Sequence, residues 1–173
     1  MHHANVAFFI PHRGCPHRCS FCDQRAISGE GELLTPEMVG EKLAEAFSRP
    51  LPPDATEIAF FGGSFTCLPR GEMAGFLEAA FPYVRAGKCR GVRISTRPDG
   101  ISGEILDILA RYGVSAVELG AQSLDDKVLQ INGRGHTAEA VRNAARLIRE
   151  YPGAPFSLGL PHMTGLPGED AES

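Results

Sequence analysis

Three cysteines, Cys15, Cys19 and Cys22, stand within the eight residues CPHRCSFC of a 173-residue chain that holds only five cysteines. Thiols at such spacing, C-x3-C-x2-C, bind a metal or a metal cluster more readily than they pack as unrelated small hydrophobes. Pro16 argues against a continuous helix through them, so the run reads as a loop curling around something. Zinc is one reading, with His12 or His17 completing a tetrahedral Cys3His set. However, zinc sites usually pair two C-x2-C-like clips, and no second clip exists. A four-iron cluster is the other reading. It offers four corners for cysteine thiolates, and three protein ligands would leave one iron open to a reacting molecule.

Elements must hold such a loop in place, and the chain is patterned to supply them. Five short apolar runs, VAFFI (6–10), EIAFF (57–61), GVRIS (91–95), AVELG (116–120) and FSLGL (156–160), are rich in Val, Ile and Phe and read as buried strands. Helical patterns lie between them. Thr35-Pro36-Glu37 opens the first helix, with Leu43, Ala46 and Phe47 on one face, and Met73, Phe76, Leu77, Ala80 and Phe81 mark the second. Ser102 caps a third helix carrying Ile105, Ile108 and Leu109, which Gly113 ends. Thr137 caps a fourth, through Val141, Ala144, Ala145 and Ile148, stopped by Pro152-Gly153.

Alternation of strand and helix predicts an α/β fold with a parallel sheet and helices outside it. Each strand runs into a polar or glycine-rich segment: PHRGCPHRC, GGSFT, TRPDG, AQS and PHMTGLPG. Loops at the C-terminal ends of parallel strands are where barrel and doubly wound enzymes keep their chemistry, so this is the layout of an enzyme. About five βα units are present, and a complete eight-stranded barrel needs roughly 250 residues. The expectation is therefore a partial, open TIM-like βα barrel forming one core domain over 1–173, incomplete at its C-terminal end.

Composition agrees with a globular chain: 43% apolar, 22% charged, net charge −4. No apolar run approaches the ~18–20 residues that span a bilayer, and the N-terminus lacks a signal-peptide pattern. The expected compartment is the reducing cytoplasm, where clustered cysteines point to metal or catalysis rather than to disulfides. The net charge argues against a wholly basic nucleic-acid binder, yet RAGKCRGVRISTR (85–97) carries five basic residues and no acid. It reads either as a solvated helix-to-strand loop or as a surface for phosphates. Cys67 and Cys89 read as packing residues, and His2 and His3 carry no pattern.

With Phe21 directly before Cys22, the cysteine run resembles the signature of the radical S-adenosylmethionine (SAM) enzymes. GGS at 62–64, STRPD at 95–99, ELGAQS at 118–123, RGHT at 134–137 and GLPG at 165–168 follow in order. Together they resemble the radical SAM domain of the Elongator catalytic subunit and its bacterial relatives, and more distantly the oxygen-independent coproporphyrinogen oxidases. The resemblance implies a [4Fe-4S] cluster on Cys15, Cys19 and Cys22, with SAM chelated at the open iron and cleaved to a 5′-deoxyadenosyl radical. It implies SAM contacts by Phe21, by Gly62, Gly63 and Ser64, by Ser95, Thr96 and Arg97, and by Glu118, Gln122 and Arg134. Gly62 and Gly63 would present bare backbone to the amino group of SAM, and Ser64 stands where many relatives carry an acid. Gln122 and Arg134 match positions that touch the SAM ribose and carboxylate.

Glu118 reads equally as a ligand-lining acid or as a paired structural carboxylate, because an acid in a strand must find a partner. His136 and Thr137 read as organisers of a helix start. The chain departs from its relatives at PHMT (161–164), where Pro161 has no side-chain hydrogen bond to offer. The resemblance further implies an electron donor such as ferredoxin or flavodoxin and, through Elongator, tRNA as a partner. The competing reading is an iron–sulfur or zinc module without radical chemistry that binds RNA or serves a structural role.

Overall fold

The computed structural model describes residues 4–11, 13–23, 33–153 and 156–169. His2, His3 and His12 lie outside the described residues. Five parallel strands, β1 (Ala4–Ile10), β2 (Thr56–Gly62), β3 (Val92–Thr96), β4 (Val114–Leu119) and β5 (Ser157–Gly159), form one sheet in sequential order. A doubly wound sheet reverses direction at a switch point, whereas sequential order is that of a barrel wall. Among the described residues β1 pairs only with β2 and β5 only with β4, so the wall is open, as the strand count predicts.

The helices are α1 (Pro36–Ala46), α2 (Arg70–Arg85), α3 (Gly103–Arg111), α4 (Asp126–Ile131) and α5 (Ala138–Arg149). Their starts follow the capping residues. The Thr35 hydroxyl accepts from the Met38 amide, Ser102 from Ile105 and Thr137 from Ala140. Each such cap is worth about 1 kcal/mol and fixes where the loop after the preceding strand must end. The short α4 was not expected from periodicity. Asp125 starts it by accepting from the amides of Lys127 and Val128.

Period-two alternation sorts the strand residues onto two faces. Ile58 and Phe60, Val92 and Ile94, and Val117 and Leu119 are fully buried beneath the helices. Phe60 is the hub of this core, stacked at 5.3 Å on Phe8 and 5.1 Å on Phe65, with Phe76 at 5.8 Å. Burying one such ring contributes about 1.5–3 kcal/mol. The run FFGGSF is thereby pinned at both ends. Phe60 and Phe65 enter the core, and the glycine turn between them is held at the C-terminal rim of the sheet.

The opposite face is polar. Arg93 on β3 forms an ion pair with Glu57 on β2 and donates to Glu118 on β4 at 3.0 Å, while Ser95 donates to the second Glu118 oxygen at 3.1 Å. Glu118 is thus a paired carboxylate. Glu57 is 3% exposed, and Arg93 is what makes its burial tolerable.

A thiol-lined cavity at the strand ends

The cysteine loop is fastened to the glycine turn by backbone alone. The Ser64 amide donates to the Arg13 carbonyl at 2.9 Å. A Cβ on Gly63 would lie 2.1 Å from that carbonyl, and one on Gly14, at φ +72°, would lie 2.2 Å from the Ser64 carbonyl. Only glycine permits two chains to cross so closely. Arg13 adds an ion pair with Glu72 and a 3.0 Å hydrogen bond to the Leu34 carbonyl, which ties both flanks of the loop to α2 and to the start of α1. No helix forms over 13–23, in line with Pro16.

The far side of the loop rests on the segment after α4. The Ser20 amide donates to the Asn132 carbonyl at 3.1 Å, and the Ser20 hydroxyl donates to Asn132 Oδ1 at 2.6 Å. The His17 ring packs against Gly135, where a Cβ would meet it at 2.3 Å. Asn132, 1% exposed, spends its amide protons on the carbonyls of Val128 and Pro167, at 2.8 and 2.9 Å. It therefore links the cysteine loop, α4 and the GLPG segment. Sequence reasoning missed it, since its partners are distant in the chain.

Between these anchors lies one cavity. Cys15, Cys19, Phe21 and Cys22 line one wall, and Gly62, Gly63, Ser95, Thr96 and Arg97 line the next. Glu118, Gln122 and Arg134 complete it, together with His17, Arg18, Gly120 and Pro161. None of the five cysteines forms a disulfide, and Cys19 is the most buried of the three in the loop. Among the described residues no three His, Cys, Asp or Glu side chains are close enough to share one metal ion. The three thiols share this one cavity. Burial pushes the Cys15 thiol up, against the pull of the Arg97 and Arg134 cations.

Ser64 stands apart from the other expected contacts. It is 1% exposed and is not among the residues that line the cavity. Its hydroxyl meets Thr96 Oγ1 at 3.0 Å and accepts from the Arg97 amide at 3.2 Å, while Thr66 Oγ1 lies 2.5 Å from Thr96 Oγ1. The three hydroxyls lock the glycine turn to the end of β3. Arg97 is also occupied. It grips Asp99 with two hydrogen bonds of 2.8 and 3.0 Å and donates to the Arg134 carbonyl at 2.9 Å. Burial would raise the Asp99 carboxyl, but the Arg97 guanidinium outweighs it and holds the acid below its ordinary range.

Gln122 adopts φ +68°, the left-handed region that a non-glycine residue enters only when held there. The hold comes from the segment that follows β5. The Gln122 amide donates to the Pro161 carbonyl at 3.0 Å, and its own carbonyl accepts from Met163 at 2.9 Å. Pro161, lacking a useful side chain, acts through its backbone. The basic run divides: Arg93 and Arg97 turn inward to carboxylates, while Arg85, Lys88 and Arg90 stay before β3, at the end of the sheet opposite the cavity.

The fold and the cavity have counterparts among known proteins. The family model of the radical SAM superfamily matches residues 9–173. The chain belongs to the radical SAM superfamily. It is 28% identical over 191 aligned residues to a tRNA uridine(34) acetyltransferase of Dehalococcoides mccartyi, covering 91% of this chain and 40% of that protein. Among solved structures it matches the archaeal Methanocaldococcus infernus Elp3 with TM-score 0.67 at 19% identity, over 99% of this chain and 41% of that one. It also matches TsrM of Kitasatospora setae, a radical SAM methyltransferase solved with cobalamin and a [4Fe-4S] cluster, with TM-score 0.67 at 18% identity, over 98% and 32%. At those identities the structural likenesses speak for the fold. The chain spans about 40% of the length of the curated acetyltransferase it matches.

Proposed function

We propose that the chain is a radical SAM core that binds a [4Fe-4S] cluster on Cys15, Cys19 and Cys22 and SAM beside it. The observation that carries this is the shared cavity, where three thiols face a bare glycine turn together with Gln122 and Arg134 at the C-terminal ends of parallel strands. When bound, the cluster supplies the electron that cleaves the SAM sulfonium to methionine and a 5′-deoxyadenosyl radical.

The protein's own part is to hold and orient. Gly62 and Gly63 leave peptide groups within reach of the SAM amino group, and Arg134 offers a cation to its carboxylate. Gln122, Ser95 and Glu118 line the side where a ribose would lie. Phe21 adds an apolar surface next to Cys22. Ser64 acts by holding the turn rather than by direct contact, while Thr96 and Arg97 line the cavity and also hold the turn and Arg134 in place. On the same reading, residues 1–173 belong to a radical SAM core domain.

The name of the Dehalococcoides relative points to tRNA as the substrate class. In this chain an RNA reaching the cavity would meet His17 and Arg18 at its rim, not the basic loop at 85–90. Ferredoxin or flavodoxin is the expected electron donor, and the cytoplasm the expected compartment. Among the described residues no helix is long and apolar enough to cross a membrane.

Anaerobic reconstitution tests the reading. The chain should take up about four irons with matching sulfide and release 5′-deoxyadenosine from SAM when reduced. Uptake of zinc alone, with no nucleoside released, would overturn it in favour of a zinc module.

A further inference from the structure

Arg134 is held in place before any ligand arrives. Only 8% exposed, it donates Nη2 to the Gly120 carbonyl at 2.6 Å and Nη1 to the Cys19 sulfur at 3.6 Å, an ordinary separation for the larger sulfur acceptor. A Cβ on Gly120 would sit 2.8 Å from Nη2, so glycine there is what lets the guanidinium approach. Its backbone is fixed in turn by the 2.9 Å bond from Arg97. Nε is buried with no partner.

We propose that Arg134 raises the reduction potential of the cluster by donating a hydrogen bond to the Cys19 thiolate, a role separate from any contact with SAM. This rests on the cluster reading above. One-electron reduction adds negative charge that the thiolate sulfurs share, and hydrogen bonds to those sulfurs are a main control of cluster potential. A cationic donor strengthens the effect, and burial of both partners limits its screening by water. Other charges at the cavity offer less. Arg97 is neutralised by Asp99, Glu118 by Arg93, and Arg18 is exposed to solvent.

The test is a redox titration of the reconstituted, SAM-free protein, followed by electron paramagnetic resonance. Arg134→Gln should move the midpoint to more negative potential at unchanged iron content, and Arg134→Lys should fall between the variant and the wild type. Pulsed resonance on wild-type protein carrying 15N-arginine should show a nitrogen coupled to the reduced cluster, absent from Arg134→Lys. A midpoint unmoved in fully loaded Arg134→Gln would overturn the inference. If that variant fails to load iron, the labelled wild type decides: a coupled nitrogen supports the bond, and none overturns it. Failure of the wild type itself to load iron would instead overturn the cluster reading beneath.

Discussion

Ser20 and Asn132, 112 residues apart, are joined by two hydrogen bonds, one through backbone and one through side chains. This pairing docks the outer half of the cysteine loop onto the segment that carries Arg134, so the position of Cys19 and Cys22 depends on an amide that ligates nothing. Asn132→Ala would leave the Val128 and Pro167 carbonyls without their side-chain donor and Ser20 without its acceptor. Each of the three side-chain hydrogen bonds lost contributes about 0.5–1.5 kcal/mol net. The expected outcome is a loss of about 2–4 kcal/mol in denaturant unfolding, with iron uptake reduced. Full stability and full iron would show that the amide is dispensable.

Two glycines make opposite predictions. Gly63→Ala forces a Cβ to 2.1 Å from the Arg13 carbonyl, so the loop and the turn must part; soluble protein should lose cluster uptake, read as iron per chain. Gly40 lies in α1 with nothing within 4 Å of its would-be Cβ. Gly40→Ala should therefore raise stability by about 0.5–1 kcal/mol, the helix advantage of Ala over Gly, and leave iron uptake alone.

Ser64 separates a cofactor contact from a structural one. Its hydroxyl bonds Thr96 and the Arg97 amide, and its side chain is absent from the cavity lining. Ser64→Ala should cost about 1–2 kcal/mol of stability while changing SAM affinity little, measured by equilibrium binding to the loaded protein. A large loss of affinity without loss of stability would place the hydroxyl on the ligand after all.

Acid should weaken the fold through His136. Burial first, and then the Arg134 and Arg97 cations, hold its pKa below the ordinary 6.5, and Nε2 is buried without a partner. The unfolded chain binds a proton there near pH 6.5, while the folded chain resists until lower pH. The folded pKa is depressed, so this contribution is fully present above the unfolded value and is lost as pH falls through it toward the folded one. Denaturant midpoints at about pH 7.5 and about pH 5.5 should fall more for wild type than for His136→Gln. Equal falls would mean that the imidazole titrates freely.

Much of this arrangement was legible from residue order. The apolar runs mark all five strands, with edges displaced by at most two residues, and Thr35, Ser102 and Thr137 cap the helices expected of them. These signals are local, set by side-chain period and by orphan amides at helix starts. The inward turn of Ser64, the capture of Arg97 by Asp99 and the clamp at Asn132 were not legible. Each is a bond whose partner is chosen by the packed fold rather than by the local pattern. Glu118 lies between these cases: its need for a partner was readable, but that the partner is Arg93 depends on the register of β3 against β4.

The central claim is that three thiols leave one iron open for SAM. Mössbauer spectroscopy of the 57Fe-reconstituted chain, with and without SAM, tests it most directly. The account predicts one iron of the four changing its signal when SAM is added. Four irons that ignore SAM, or a chain that holds no iron–sulfur cluster at all, would contradict it.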